Sequence, residues 1–553
     1  MVAHTTASTS PAARSASSSA AAMASAARSE VPVPGSTNRR DLTPVRDTIH
    51  SSVVSMIRVR SSLVTTLGGT ATPVPAITVG MPRRSYGPPA YRRAAMTSRA
   101  LAWFRRDLRL HDNPAWAAAT ARDEVVALVV LEPALLAAAG PWRRRVYLGA
   151  VAGLDRSLRS CGGALRVETG DPAEVVPRVA AEIGAEAVAV NADVTRWSAS
   201  RDRRVDRRLR QPTERHWGTL VHPPGSVLTR AGGLSKVFTP FYRRWSERPL
   251  PAATRPGPAV VLEAPPGSTL TEQLEEEPPS AWGEQEAADR LEAWIERVDC
   301  YDDHRDSVAT DGTSGLSVAL RFGLLSARGV AAAAGLHTPG RAAFVRQLAW
   351  RDWYAHITCE HPDIDRVALR PEYDRIAWAE GAAADTGFEA WRAGRTGYPI
   401  VDAAMRELAA TGWMHNRLRM VAASFLVKDL LIDWRRGERW FRRMLTDGDI
   451  PQNAGNWQWV AGTGPDAAPY FRVFNPVAQS RRHDPEGQYL RRWLPELARL
   501  ADDAIHEPWR LAPAVLATAG VRLGVDYPAP IVDHDEARER ALAAYREALD
   551  ISG

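Results

Sequence analysis

The chain is 553 residues long, 45% apolar and 24% charged, with a formal net charge of +6. That length holds more than one domain at about 100–200 residues each, and no run approaches the roughly 18 consecutive apolar residues of a membrane helix. Cys161, Cys300 and Cys359 are odd in number and lack metal-ligand spacing, which excludes a disulfide framework and points to a reducing, cytoplasmic setting.

The charge is unevenly spread. Residues 1–95 hold 11 arginines, no lysine and three acids (Glu30, Asp41, Asp47), a net of +8, so residues 96–553 carry −2. Any affinity for nucleic acid must come from a local patch. Lys236 and Lys428 are the only lysines beside 68 arginines, a bias read here as genome composition.

Residues 1–95 are rich in Ala, Ser, Thr, Arg and Pro, without sustained periodicity, and cannot bury enough surface to fold. An acid-poor leader of this kind matches an organelle transit peptide. A start codon placed too early is preferred, because Met96 stands just ahead of RALAWFRRDLRL. From 97 to 229 strand and helix patterns alternate. ALAWF (100–104), VVALVVL (125–131), ALRVE (164–168) and AVAVN (187–191) predict strands, with helices around 114–121, 143–159 and 172–183. Buried apolar strands alternating with helices predict an α/β domain with a doubly wound parallel sheet. No G-x-G-x-x-G follows the first strand, so a dinucleotide is not expected at that turn. Residues 230–282, with many Gly and Pro and the acidic run Glu275–Glu277, read as a connecting segment. From 283 to 553 helical patterns dominate, predicting a mostly α-helical domain.

The chemistry concentrates in residues 412–476. Leu418, Val421, Ala422, Phe425 and Leu426 form one apolar helical stripe. Asn416 and Met420 share a face beside Arg417, Asp447 and Asp449 bracket Gly448, and Trp457 and Trp459 flank Gln458. So many polar groups and indoles in an apolar setting are costly to bury without partners, which argues for a large polar ligand inside the domain. Upstream, the small hydroxyl residues around Gly312 and Gly315 in YDDHRDSVATDGTSGLS (301–317) offer N–H and O–H groups to phosphate, although alone they are an ordinary helix cap. FVRQLAWRDWYAHI (344–357) sets Gln347, Trp350, Arg351 and Tyr354 at spacings of 3 and 4; in isolation such a stripe is core. The 13 histidines show no ligand spacing and no Walker lysine motif occurs, so no metal is expected.

Several strings resemble the cryptochrome/photolyase flavoprotein family, specifically class I photolyases that repair cyclobutane pyrimidine dimers. They are FRRDLRLHDNPAW (104–116), KVFTPFYRRW (236–245), TGYPIVDAAMRELAATGWMHNRLRM (396–420), FLVKDLLIDW (425–434), DGD (447–449), NWQW (456–459) and DAAPYFRVFNP (466–476). The resemblance runs from about Arg99 to about Trp509. It implies an N-terminal domain holding a light-harvesting antenna and a helical FAD-binding domain. The implied activity is light-driven lyase chemistry on a pyrimidine dimer flipped out of damaged DNA, by a monomer that needs no membrane. The alternative it leaves is a blue-light photoreceptor cryptochrome of the same fold without repair.

By the same resemblance, Tyr301, Thr313, Ser314, Gly315, Leu316 and Ser317 fall on FAD-contacting positions, although Gly315 stands where relatives carry a longer residue. Arg419 and Asp447 pair beside the flavin, Asp447, Gly448 and Asp449 follow the flavin- and ribose-contacting loop, and Asn453 matches the residue facing flavin N5. Trp350 and Trp459 clamp the dimer in a cavity lined by Gln347, Arg351, Tyr354, Asn416 and Met420, with Arg305 and Arg417 near phosphate. Gln347 stands where many dimer photolyases have glutamate. Trp378, Trp434 and Trp457 match an electron-transfer chain. DVTRWSASRD (193–202) has the spacing of a deazaflavin-binding loop, bringing in Asp193 and Arg201, although Arg196 and Trp197 replace the usual Pro and Tyr. Arg366 stands in the region where folate-binding members carry lysine. A deazaflavin (8-HDF) is therefore favoured over methenyltetrahydrofolate as antenna.

Overall fold

The computed structural model describes residues 97–263, 281–466, 469 and 471–550. The expected leader over 1–95 with Met96, the run Glu275–Glu277, and Ala467, Ala468 and Tyr470 of the last family string lie outside the described residues.

The strands β1 (Arg99–Phe104), β2 (Glu124–Leu131), β3 (Leu165–Thr169), β4 (Ala187–Asn191) and β5 (Thr213–His216) form a parallel sheet in the order β3-β2-β1-β4-β5. The helices α1 (Pro114–Ala119), α2 (Pro133–Ala138), α3 (Pro141–Ser160), α4 (Pro172–Glu182) and α5 (Arg196–Asp206) lie in the connections. Alternate residues feed opposite layers: Ala100, Ala102 and Phe104 join one core cluster, Leu101 and Trp103 another. Burial on both faces is why these strands read as unbroken apolar runs. The strand order reverses between β1 and β4, which opens a crevice at their carboxyl ends.

The connecting segment is more structured than its composition suggests. The two-residue strand β6 (Val260–Val261) pairs with the start of β2. The helix α6 (Phe238–Glu247) buries Phe238, Phe241 and Trp245, one face at spacings of 3 and 4.

After Gly283 the described residues hold helices and loops, apart from one isolated bridge between Leu523 and Tyr527. In order these are α7 (Glu284–Ile295), α8 (Tyr301–His304), α9 (Ser317–Phe322), α10 (Ala327–Ala334), α11 (Pro339–Glu360), α12 (Gly381–Arg392) and α13 (Pro399–Thr411). They continue with α14 (Asn416–Ser424), α15 (Trp434–Met444), α16 (Ile450–Ala461), α17 (Pro476–His483), α18 (Gln488–Trp493), α19 (Pro513–Thr518) and α20 (His534–Asp550). The apolar stripe anticipated at 418–426 is real, but α14 runs on into a π-helical turn, Phe425–Asp429. That turn sinks Lys428 into the core, where its ammonium lies 3.4 Å from the centre of the Tyr545 ring and burial pulls its pKa down to about 7. Asp429 meets His534 at 2.6 Å, so the turn pins α20. Among the described residues no helix is long and apolar enough to cross a membrane.

Candidate cofactor and substrate sites

A small cavity between α14, α16 and the loop preceding α16 gathers Asn416, Arg419, Met420, Asp447, Gly448, Asp449, Asn453 and Trp457. Arg419 grips Asp447 with two nearly parallel bonds, Nη1 to Oδ1 at 3.1 Å and Nη2 to Oδ2 at 2.9 Å, the fork geometry that adds direction to charge. The Asn453 amide is oriented by Glu438: its Nδ2 donates to the Glu438 backbone oxygen and to Oε1, both at 2.9 Å. Two acceptors fix the amide nitrogen on that side, which leaves Oδ1 as the remaining polar atom. Glu438 is fully buried, and burial pushes its pKa up to about 7. Arg442 approaches its Oε2 at 3.3 Å without forming a hydrogen bond.

Sequence reasoning missed Glu438 because WRRGERWFRR looks like a solvated charged helix. The signal was there: Trp434, Gly437, Glu438 and Phe441 share the buried face of α15. Phe441, Leu445, Ala423 and Val460 complete the cavity wall. Apolar residues for ring faces, with an amide carbonyl for a ring N–H, make a donor set that fits a flavin.

Other expected FAD residues lie outside this cavity. Tyr301 is half-buried with its ring edge-on to Trp294 and Phe344, each at 5.7 Å. Thr313 to Leu316 precede α9, and the Ser314 hydroxyl accepts from the Leu316 amide at 3.3 Å; Ser317 opens α9. Gly315 has φ +62°, with nothing within 4 Å of an added Cβ. The left-handed backbone, not crowding, favours glycine there.

A larger cavity of about 830 Å³ opens at the carboxyl ends of β1 and β4, the switch point where open α/β sheets take ligands. Asp193, Arg201 and Arg366 all line it. Asp193 accepts from the Val194 amide at 2.6 Å and the Ser198 hydroxyl at 3.0 Å, while Arg201 reaches Glu132 at 2.8 Å. Eleven arginines but only four carboxylates face this space. Desolvation, with Arg321 and Arg442 nearby adding to it, pulls the half-buried Arg143 down to about 10. Gly448 and Asp449 line both cavities, as a thin shared wall. A Cβ at Gly448 would lie 2.9 Å from Arg143 Nη1 and 3.0 Å from the Arg442 carbonyl oxygen.

On α11, Gln347 is half-buried and its Nε2 donates to the Ala343 carbonyl at 3.1 Å. Trp350 is half-buried and stacked on Phe238 of α6, centroids 3.6 Å apart and planes 12° from parallel. Arg351 donates to the carbonyls of Thr219 and Leu320. The buried Tyr354 ring lies against Gly455 of α16, a helix that packs on α11 and carries the half-buried Trp459. Asn416 is exposed, with its amide 3.9 Å from the Met420 sulfur. Arg417 pairs with Asp306 at 2.7 Å and Arg305 with Asp302 at 3.5 Å.

Of the three chain tryptophans, Trp434 and Trp457 are buried and Trp378 is half-buried. Trp378 meets the Tyr545 ring edge-on at 6.1 Å. The ring neighbours of Trp457 are Phe441 at 5.1 Å and Trp391 at 6.2 Å; Trp391 carried no expectation from sequence.

Comparison with known proteins agrees with this architecture. The family model described as DNA photolyase matches residues 100–259, and that described as the FAD binding domain of DNA photolyase matches residues 344–547. The chain is 43% identical to a deoxyribodipyrimidine photo-lyase of Streptomyces griseus, over 80% of this chain and 98% of that one. The crystal structure of a class III photolyase from Agrobacterium tumefaciens superposes with a TM-score of 0.76 at 36% identity, covering 84% of this chain and 100% of the other. A cryptochrome from Synechocystis superposes with a TM-score of 0.73 at 32% identity, over 81% of this chain and 99% of the other. With its parallel sheet and its helical, flavin-fitting second part, the chain belongs to the DNA photolyase family.

Proposed function

We propose that the chain is a deoxyribodipyrimidine photo-lyase that repairs cyclobutane pyrimidine dimers in damaged DNA, with FAD in the small cavity. The observation that carries this reading is the gathering there of Arg419, Asp447 and an Asn453 amide whose carbonyl is left free by Glu438. When bound and fully reduced, FAD supplies the light-driven electron that opens the cyclobutane ring. The residues hold, orient and shield. Arg419 and Asp447 fix the ring edge, Asn453 accepts from the flavin N5–H, and Trp350 and Trp459 take the faces of the two pyrimidines. Stacking of a base on an aromatic contributes about 1–3 kcal/mol, against a few kcal/mol to flip a damaged pair. Gln347 bonds the pyrimidine edge, and Arg417 and Arg305 meet phosphate. Trp378, Trp434 and Trp457 carry electrons to oxidised flavin and are not needed for repair. Residues 97–229 serve as the antenna domain and 283–553 as the catalytic domain.

For the antenna, a deazaflavin is preferred over methenyltetrahydrofolate, since Asp193 and Arg201 both line the large cavity. Extraction of a methenylfolate from protein made in its native host would overturn that choice. The cryptochrome reading draws support from the Synechocystis neighbour; Asn453, Trp350 and Trp459 favour repair. The deciding experiment is dimer cleavage under blue light by the reduced protein, with a dark control. Flavin absorption without light-dependent cleavage would overturn the lyase reading and leave the photoreceptor.

A further inference from the structure

Arg106 lines the large cavity against the wall it shares with the small one. It follows β1, and its Nη1 lies 2.7 Å from Asp449 Oδ1 and 3.6 Å from Asp193 Oδ2. Asp193 lines only the large cavity, whereas Asp449 lines both. Two buried carboxylates thus share one guanidinium nitrogen, and Arg106 is the cation nearest to both, the largest favourable charge acting on each. Burial alone would raise the pKa of Asp449, yet Arg106, Arg321 and Arg351 together hold it below the ordinary carboxylate range. Asp449 is also the residue from which α16 starts. Its backbone carbonyl accepts from the Asn453 backbone N–H at 2.8 Å, so a shift of Asp449 moves the residue proposed to face the flavin. Arg321 ties the same wall by donating to the Gly448 carbonyl at 2.8 Å.

We propose that Arg106 is a positioning residue that couples the two cavities: by neutralising Asp193 and Asp449 together, it holds the wall between them in the form that binds the flavin. This rests on the small cavity being the flavin site. Arg106 belongs to the α/β part and bonds to the wall of the small cavity at Asp449, so its effect on flavin passes through Asp449. Removing it leaves Asp193 and Asp449 repelling each other, and the wall gives way. The consequence is a suppressor relation that a merely structural arginine would not show: neutralising Asp193, which lies outside the flavin cavity, relieves the loss of Arg106.

The test titrates the deflavinated full-length chain with FAD and follows flavin fluorescence. Arg106→Gln is expected to weaken FAD binding about tenfold, the scale of a lost charged hydrogen bond, and Arg106→Lys to stay within about threefold of wild type. Arg106→Gln combined with Asp193→Asn should recover at least about threefold of the loss, and Asp193→Asn alone should bind FAD no more weakly than wild type. Arg106→Gln binding like wild type, or a double variant as weak as the single one, overturns the coupling. Should Arg106→Gln fail to fold, Asp193→Asn and Arg106→Lys decide: weakened FAD binding by Asp193→Asn overturns the proposal. If wild type itself binds no FAD, or binds it unchanged after Asp447→Asn, it is the flavin assignment that falls.

Discussion

In the small cavity nearly every polar group is answered at short range. Arg419 has Asp447, and the Asn453 amide has Glu438. In the large cavity eleven arginines face four carboxylates, and Arg143 loses part of its basicity to burial and then to its neighbours Arg321 and Arg442. The first arrangement recognises a ligand by the position of hydrogen bonds, since its charges are already neutralised. The second, even with Arg105, Arg196, Arg201 and Arg442 paired to acids, keeps an excess of positive charge that favours an anionic ligand, beside an apolar rim at Leu135 and Trp197. Charge recognition is screened by salt, whereas paired and buried contacts are screened far less.

Four experiments break or sharpen that contrast. Asp447→Asn should have the largest effect, because it strips Arg419 of its partner inside the small cavity. A lost charged hydrogen bond is worth about 1.5–3 kcal/mol, so FAD affinity should fall about tenfold to a hundredfold in a fluorescence titration. A loss under about threefold would mean that the pairing does not serve flavin recognition.

Glu438→Gln addresses pH. The folded pKa of Glu438 is raised from 4.5 to about 7, so the folded state binds the extra proton. The stability this provides is complete below the unfolded value and is lost as pH rises through about 7. Wild-type melting temperature should therefore fall between pH 5 and 8 by a few degrees more than that of the variant. Parallel curves would show that Glu438 is ionised throughout.

Salt distinguishes the cavities directly. Raising sodium chloride from about 0.05 to about 0.5 M should release a chromophore held in the large cavity severalfold more readily, while FAD retention changes less than about twofold. Equal retention of both, read from absorption after dialysis, would remove the contrast. The smallest effect is a control outside both cavities. Phe238→Leu removes the ring stacked on Trp350, a contact worth about 0.5–1.5 kcal/mol, and should weaken binding of dimer-containing DNA a few-fold without changing binding of undamaged DNA. Equal weakening on both would place Trp350 outside lesion recognition.

What the sequence made legible follows from how each part is built. β1 to β4 are buried on both faces and appear as apolar runs, whereas β5, the edge strand TERH, is polar and was not anticipated. The small cavity was legible because ten of its residues sit in two contiguous strings, 416–420 and 447–457. The large cavity draws its walls from several distant segments of the chain, and no single stretch announces it. The string DVTRWSASRD pointed toward it with Asp193, Arg196, Trp197 and Arg201, as did Arg366. The π-helical turn at 425–429 was hidden too, since FLVKD continues the apolar stripe of α14 while adding one residue to the turn.

On the proposed assignment of FAD to one cavity and an antenna to the other, the thinness of the wall at Gly448 and Asp449 also constrains how the two pigments can change over evolutionary time. A substitution in a residue that fronts two ligands is filtered twice, and Gly448 has no room for even a methyl group without displacing Arg143 or the Arg442 carbonyl. Drift toward a different light-collecting molecule is therefore channelled to the opposite rim, where Leu135 and Trp197 are 42% and 46% exposed and free to vary in size.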